Sequence, residues 1–230
     1  MSIIGIHLPT VEEPILFEQR GLPVSQEALF LLKFLVQARV SPDHAAADLG
    51  CGSGLLTVGL ARLFPSIRVY GVELQPELVS VAEDNARRNG LMSRIAIIQG
   101  DIRQPESRPP DNACDLVVMN PPFRRTASGK LSPDVLRRHA NHEMAGTLED
   151  FIRVASICLS HHGRMAMVMV PERLPDTLQM MTERHVPAAV IQWIHHTPQL
   201  PANAVLILGC KGGRGGLTVL PPFFCAGTVA

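Results

Sequence analysis

Between residues 45 and 208 short apolar runs alternate with segments of helical period, and this alternation is what most restricts how the chain can fold. Ala45–Leu49, Arg68–Gly71, Ile95–Ile98, Leu116–Met119, Met165–Val170, Val190–Ile194 and Ala204–Leu208 are too short for helices, and mostly apolar at consecutive positions. Runs of that kind are strands covered on both faces. Leu55–Leu63, Glu77–Asn89 and Leu148–Leu159 lie between them and read as helices. The second has Pro76 at its start, Leu78, Ala82 and Ala86 on one face, and Gly90 at its end. The third opens with Thr147-Leu-Glu-Asp150, a capping-box pattern. The alternation predicts an α/β fold, a mostly parallel sheet of seven strands flanked by helices and joined by right-handed crossovers. Ser25 can cap a further apolar helix through about Gln37, so residues 1–40 form a lead-in to a domain over 41–230. Pro- and Gly-rich stretches at 104–112, 198–203 and 211–222 are expected to be loops.

Composition narrows the function classes. Of 230 residues 46% are hydrophobic and 18% charged, enough to bury a core and too apolar for a disordered tail. Lys plus Arg and Asp plus Glu are 21 each, so there is no whole-protein basic field to attract nucleic acid. Only Lys33, Lys130 and Lys211 are lysines, and arginine is the better fork for phosphate and carboxylate. The apolar stretch Ala28–Val36 is short and interrupted by Lys33, so no membrane span is expected, and Met1–Pro14 lacks a secretory pattern. The five cysteines are scattered without a C-x-x-C pair, which argues against a zinc ribbon, another metal site or a disulfide framework. A cytoplasmic protein is expected.

The first strand runs into Asp48-Leu-Gly-Cys-Gly-Ser-Gly54. In open parallel sheets ligands sit at the carboxyl ends of the strands, and glycines there let the backbone approach a ligand. A tight strand–helix turn alone would also use glycine. Leu55 stands where a nicotinamide-type fingerprint would have its third glycine. Asp48 would repel a pyrophosphate but suits a cationic or amino-bearing ligand. Glu73 follows the second strand, about 20 residues beyond Gly50, where a carboxylate can accept from ribose hydroxyls. Asp101, after the third strand, is placed to accept from an adenine amino group. The set describes a site for an adenosyl ligand with a positive centre, and S-adenosylmethionine fits.

The fourth strand runs into Asn120-Pro-Pro-Phe123. Asn-Pro terminates strands in its own right. Yet Pro121 and Pro122 stiffen the backbone, so that the Asn120 amide oxygen and the Pro121 carbonyl can accept both hydrogens of a planar amino group. Phe123 offers a flat face to a base, a contact worth about 1–3 kcal/mol. No general base is required; positioning and electrostatics would supply the catalysis.

Together, Asp48–Gly54, Glu73, Gly100-Asp101 and Asn120–Phe123 resemble the motifs of class I, Rossmann-like S-adenosylmethionine-dependent methyltransferases acting on amino nitrogens. Within them the chain is similar to the bacterial tRNA1(Val) adenine-37 N6-methyltransferase family, including Gln19–Leu29, Ala140-Asn-His-Glu143, Lys211-Gly-Gly213 and Leu217–Pro222. Glu27 and Asn141 depart from that family's usual Asp and Arg, and no late aromatic segment follows Phe224. The resemblance implies S-adenosylmethionine held by Asp48, Gly50, Cys51, Gly52, Gly54, Glu73, Leu74, Asp101, Ile102 and Asn120. It implies catalysis by Asn120, Pro121, Pro122 and Phe123 on an adenine N6 in RNA, with tRNA the expected partner and no membrane.

Arg124, Arg125, Lys130, Arg137 and Arg138 crowd the segment after that turn, a solvated face or a phosphate-contacting one. Arg124, Arg125, Lys130 and His142 are the candidate substrate contacts, although His142 and Glu143 read first as ordering their own loop. His161-His162 is expected to close a helix and His195-His196 to end a strand, while Trp193 and the methionines of 165–169 read as core. Other acceptors (an rRNA guanine N2, a DNA adenine, a protein glutamine) and a catalytically idle binding subunit remain open. A nicotinamide-dependent oxidoreductase is disfavoured by Leu55 and Asp48.

Overall fold

The computed structural model describes residues 3–18, 24–120 and 146–225. The strands of the main sheet are β3 (Ala45–Leu49), β4 (Arg68–Glu73), β5 (Ile95–Gln99), β6 (Cys114–Met119), β7 (Leu159–Met169), β8 (Ala188–His195), β9 (Ala202–Cys210) and β10 (Thr218–Phe224). They are ordered β10-β8-β9-β7-β6-β3-β4-β5. β5, β4, β3, β6 and β7 run parallel, β9 is antiparallel to both neighbours, and β10 runs parallel to β8. The helices are α1 (Gln26–Gln37), α2 (Leu55–Leu63), α3 (Pro76–Arg88), α4 (Leu148–Cys158) and α5 (Leu174–Glu183).

Alternation along β6 shows how the layers form. Leu116 and Val118 face a core built with α1 and α2, whereas Val117 and Met119 face a second core built with α4 and α5. Both faces are covered, so the strand is apolar at consecutive positions. Trp193 packs on the second core, which also holds Met165, Met167 and Met169. The lead-in adds a two-stranded antiparallel sheet, β1 (Ile3–Ile6) with β2 (Ile15–Glu18), whose Ile15 and Phe17 are buried in the first core with α1.

Local chemistry sets the helix starts. The Ser25 hydroxyl accepts from Ala28 N at 3.1 Å to cap α1. Thr147 and Asp150 form the reciprocal box that opens α4.

Three expectations are corrected. Among the described residues the sheet has eight strands, because 218–224 forms β10, most of it within the 211–222 stretch read as loop. Its prolines are tolerated because β10 is an edge strand whose register shifts between Leu220 and Phe223. His161-His162 does not close a helix: α4 stops at Cys158, and both histidines lie in β7, where the register shifts between the pairs Cys114–Leu159 and Leu116–Arg164. β7 itself begins six residues before the expected Met165 and ends at Met169, not Val170.

Candidate functional site

Because β3, β4, β5 and β6 are parallel, the residues that follow Leu49, Glu73, Gln99 and Met119 emerge at one edge of the sheet. The glycine loop is pinned there first by its own backbone: Gly50 N and Cys51 N both donate to Val72 O at 2.9 Å. Gly52 has φ +55°, and a Cβ built on it would meet nothing within 4 Å, so one side of the loop faces open space. Gly54 has φ +85°, and its Cβ would lie 3.0 Å from the Ala82 Cβ, so glycine is needed both for conformation and for the approach of α3. Cys51 is buried and its thiol pKa is pushed well up by burial, which makes it a small filler and not a nucleophile.

The Glu73 carboxylate closes the loop from below. Gly52 N donates to its Oε2 at 2.8 Å and Gln75 N to its Oε1 at 2.9 Å. One acid therefore ties the glycine loop to the start of α3, and each oxygen retains lone-pair capacity for a ligand hydroxyl. Leu74 follows it, half-buried.

Asp48 lies beneath the loop, 1% exposed. Thr57 Oγ1 donates to its Oδ2 at 2.7 Å, whereas Oδ1 is buried with no hydrogen-bond partner among the described residues. Burial, partly offset by Thr57, raises its pKa to about 7. An acceptor without a donor beside an open glycine loop is the feature a ligand ammonium would satisfy, and the donor set fits S-adenosylmethionine.

Asp101 follows β5 as expected, but its side chain is engaged. Arg103 Nε lies 2.9 Å from both carboxylate oxygens, and hydrogen bonding to that guanidinium holds the Asp101 pKa below its usual value. Ile102 is buried beside it. Asn120 directly follows β6, and its Nδ2 donates to the Ser25 hydroxyl at 3.1 Å. A groove of about 560 Å³ opens beside the first turn of α1, lined by Gln26, Glu27, Phe30, Val170, Glu172 and Asn203 among others. Pro121, Pro122, Phe123, Arg124, Arg125, Lys130 and His142 lie outside the described residues.

The sequence reading missed three positioning contacts: Thr57 on Asp48, Arg103 on Asp101, and Asn85, whose Nδ2 donates to Ser53 O at 3.0 Å. Ser25 was legible as a cap but not as the partner of Asn120. An available signal for Asn85 was its spacing of four from Asn89 on an otherwise apolar helix face. Among the described residues no group of three or more His, Cys, Asp or Glu is arranged to hold a metal ion, and no helix is long and apolar enough to cross a membrane.

A family profile described as Methyltransferase small domain matches residues 24–185. The tRNA1(Val) (adenine(37)-N6)-methyltransferase of Porphyromonas gingivalis is 39% identical over 137 residues, covering 59% of this chain and 52% of that protein. The release factor glutamine methyltransferase of Moorella thermoacetica is 37% identical over 95 residues, 40% of this chain and 32% of that protein. The chain thus spans about half the length, or less, of these curated relatives. Among solved structures, a predicted O-methyltransferase from Agrobacterium tumefaciens superposes with a TM-score of 0.68 at 22% identity, covering 89% of this chain and 90% of that one. TYW2 of M. jannaschii in complex with AdoMet superposes with a TM-score of 0.56 at 14% identity, covering 86% and 81%. Both likenesses are of fold.

Proposed function

The chain belongs to the methyltransferase small domain family, whose members use S-adenosylmethionine, and from that premise we propose that it methylates an exocyclic amino nitrogen, the N6 of adenine 37 in a tRNA anticodon loop. The observation that carries this reading is Asn120. Its amide nitrogen is taken by Ser25, which leaves the amide oxygen to accept from an incoming amino group at the same sheet edge as the glycine loop.

S-adenosylmethionine, when bound, supplies an electrophilic methyl group on a sulfonium sulfur. Asp48, Gly50 and Gly52 hold its amino-acid part, Glu73 its ribose, and Asp101 with Ile102 its adenine end. Asn120 Oδ1 and the Pro121 carbonyl would accept the two amino hydrogens, raising electron density on the acceptor nitrogen and aiming its lone pair at the methyl, and as the nitrogen–methyl bond replaces the methyl–sulfur bond the nitrogen would lose its surplus proton to water. Positioning of this kind contributes through effective concentration, and no base is needed before attack. Phe123 stacks the base, and Arg124, Arg125 and Lys130 contact phosphates, with His142 a further candidate substrate contact. A base in a loop is easier to present than one in a duplex.

Transfer of label from S-adenosylmethionine to bacterial tRNA, rRNA and protein extract tests the reading. Label recovered as N6-methyladenosine from tRNA supports it. Label in guanosine or a protein glutamine keeps the donor and overturns the acceptor, and cofactor binding without transfer points to an idle subunit.

A further inference from the structure

Helix α3 touches the glycine loop at two points one turn apart. Ala82 packs on Gly54, and the fully buried Asn85 donates through Nδ2 to Ser53 O at 3.0 Å. The same amide also pairs with the lead-in: Asn85 Oδ1 accepts from Glu18 N at 2.8 Å, and Nδ2 donates to Glu18 O at 3.3 Å. Asn89 repeats this at Leu16, accepting from its N at 3.0 Å and donating to its O at 2.8 Å. Four residues of helix rise about 6 Å and two residues of strand about 6.6 Å, so two side-chain amides on α3 serve as a partner strand for β2. Arg88 adds an ion pair to the buried Glu18 carboxylate. Of the two asparagines, only Asn85 reaches the loop.

We propose that Asn85 is a positioning residue for the cofactor. It fixes the Ser53 carbonyl between Gly52 and Gly54, and so makes the binding shape of the glycine loop depend on docking of the β1–β2 hairpin. The proposal rests on the reading that this loop holds S-adenosylmethionine. A ligand that needs the docked arrangement must in turn strengthen the docking, because coupling between two sites is reciprocal.

Asn85→Ala and Asn89→Ala each remove two hydrogen bonds to β2, so both lower the melting temperature, but only the first releases Ser53. The full-length Asn85→Ala protein should bind S-adenosylmethionine about five- to tenfold more weakly, with a matching rise in its KM and little change in kcat, while Asn89→Ala binds within twofold of the parent. Asn85→Leu, which keeps the volume but can neither accept from Glu18 N nor donate to Ser53 O, should show the same weakening. A measurement on the unmutated protein is independent of variant folding: saturating S-adenosylmethionine should slow hydrogen exchange at the Leu16 and Glu18 amides. Unchanged exchange there or parental affinity in Asn85→Ala overturns the coupling, and equal weakening in Asn89→Ala overturns the assignment of Asn85, through Ser53, as its link. An unmutated protein that does not bind S-adenosylmethionine overturns the underlying reading instead.

Discussion

Asn120 at the end of β6 and Ser25 at the start of α1 are joined by a hydrogen bond of 3.1 Å from the amide nitrogen to the hydroxyl. The hydroxyl is already engaged twice, accepting from Ala28 N and donating to Glu27 Oε2, each at 3.1 Å. A helix cap and the orientation of the candidate catalytic amide are therefore set by one oxygen. With one N–H held by Ser25, the Asn120 amide is fixed in orientation and its oxygen is available as an acceptor.

Ser25→Ala removes both the cap and the anchor. Stability should fall by about 1 kcal/mol from the lost cap. Released to rotate, the Asn120 amide should give a kcat about tenfold lower, while the KM for S-adenosylmethionine stays constant. Ser25→Thr keeps a hydroxyl and should retain most of the rate. Steady-state kinetics alongside thermal unfolding separate the two effects; a destabilised Ser25→Ala protein with parental kcat would refute the orienting role.

Asn120→Ala tests the amide itself. Losing a donor or acceptor aimed at the reacting group costs about 10²–10³ in rate, whereas the cofactor keeps Asp48, Glu73 and the glycine loop as its main hold. The variant should bind S-adenosylmethionine as tightly as the parent and turn over at most a hundredth as fast. A parental rate would remove the assigned chemistry.

The sequence carried the layered fold because β3, β4 and β6 are mostly buried and mostly apolar at consecutive positions, with caps at Ser25 and Thr147 marking helix starts. It located Glu73 and Asn120 because strand ends follow directly from strands. It did not show β10, where Pro221 and Pro222 read as loop until the edge position and the register shift are known. Nor did it show that Arg103, two residues beyond Asp101, turns back onto it, since two-residue spacing alone does not determine which way a loop side chain points. The contacts Ser25–Asn120 and Asn85–Ser53 join residues 95 and 32 positions apart, and only the sheet order brings them together.

Glu73→Gln leaves one amide oxygen where two carboxylate oxygens now accept from Gly52 N and Gln75 N. One of those N–H groups loses its acceptor and faces an NH₂ group. The loop and the start of α3 should loosen together, with cofactor affinity falling by about tenfold or more. Calorimetric titration with S-adenosylmethionine measures this, and a variant within twofold of the parent would show that the carboxylate's backbone bonds do not shape the site.

Asp48 gives a pH dependence whose sign can be worked out. In the folded chain its pKa is raised to about 7 by burial, against 3.8 ordinarily, so between about pH 4 and 7 the folded state holds a proton that the unfolded state has released. The associated stability is complete below about pH 4 and is lost as pH rises through 7, by up to about 4 kcal/mol. Asp48→Asn keeps an oxygen for Thr57 but cannot titrate, so its melting temperature relative to the parent should rise between pH 5 and pH 8. Cofactor binding should run the opposite way. A ligand ammonium favours the carboxylate, so at pH 6 binding should expel a proton, and affinity should weaken below pH 7, approaching tenfold per unit. Titration at pH 6 in two buffers of different ionisation enthalpy detects that proton as a difference in observed heat, which should vanish in Asp48→Asn. Equal heats in both buffers for the parent protein would mean that Asp48 does not meet the charge of the ligand.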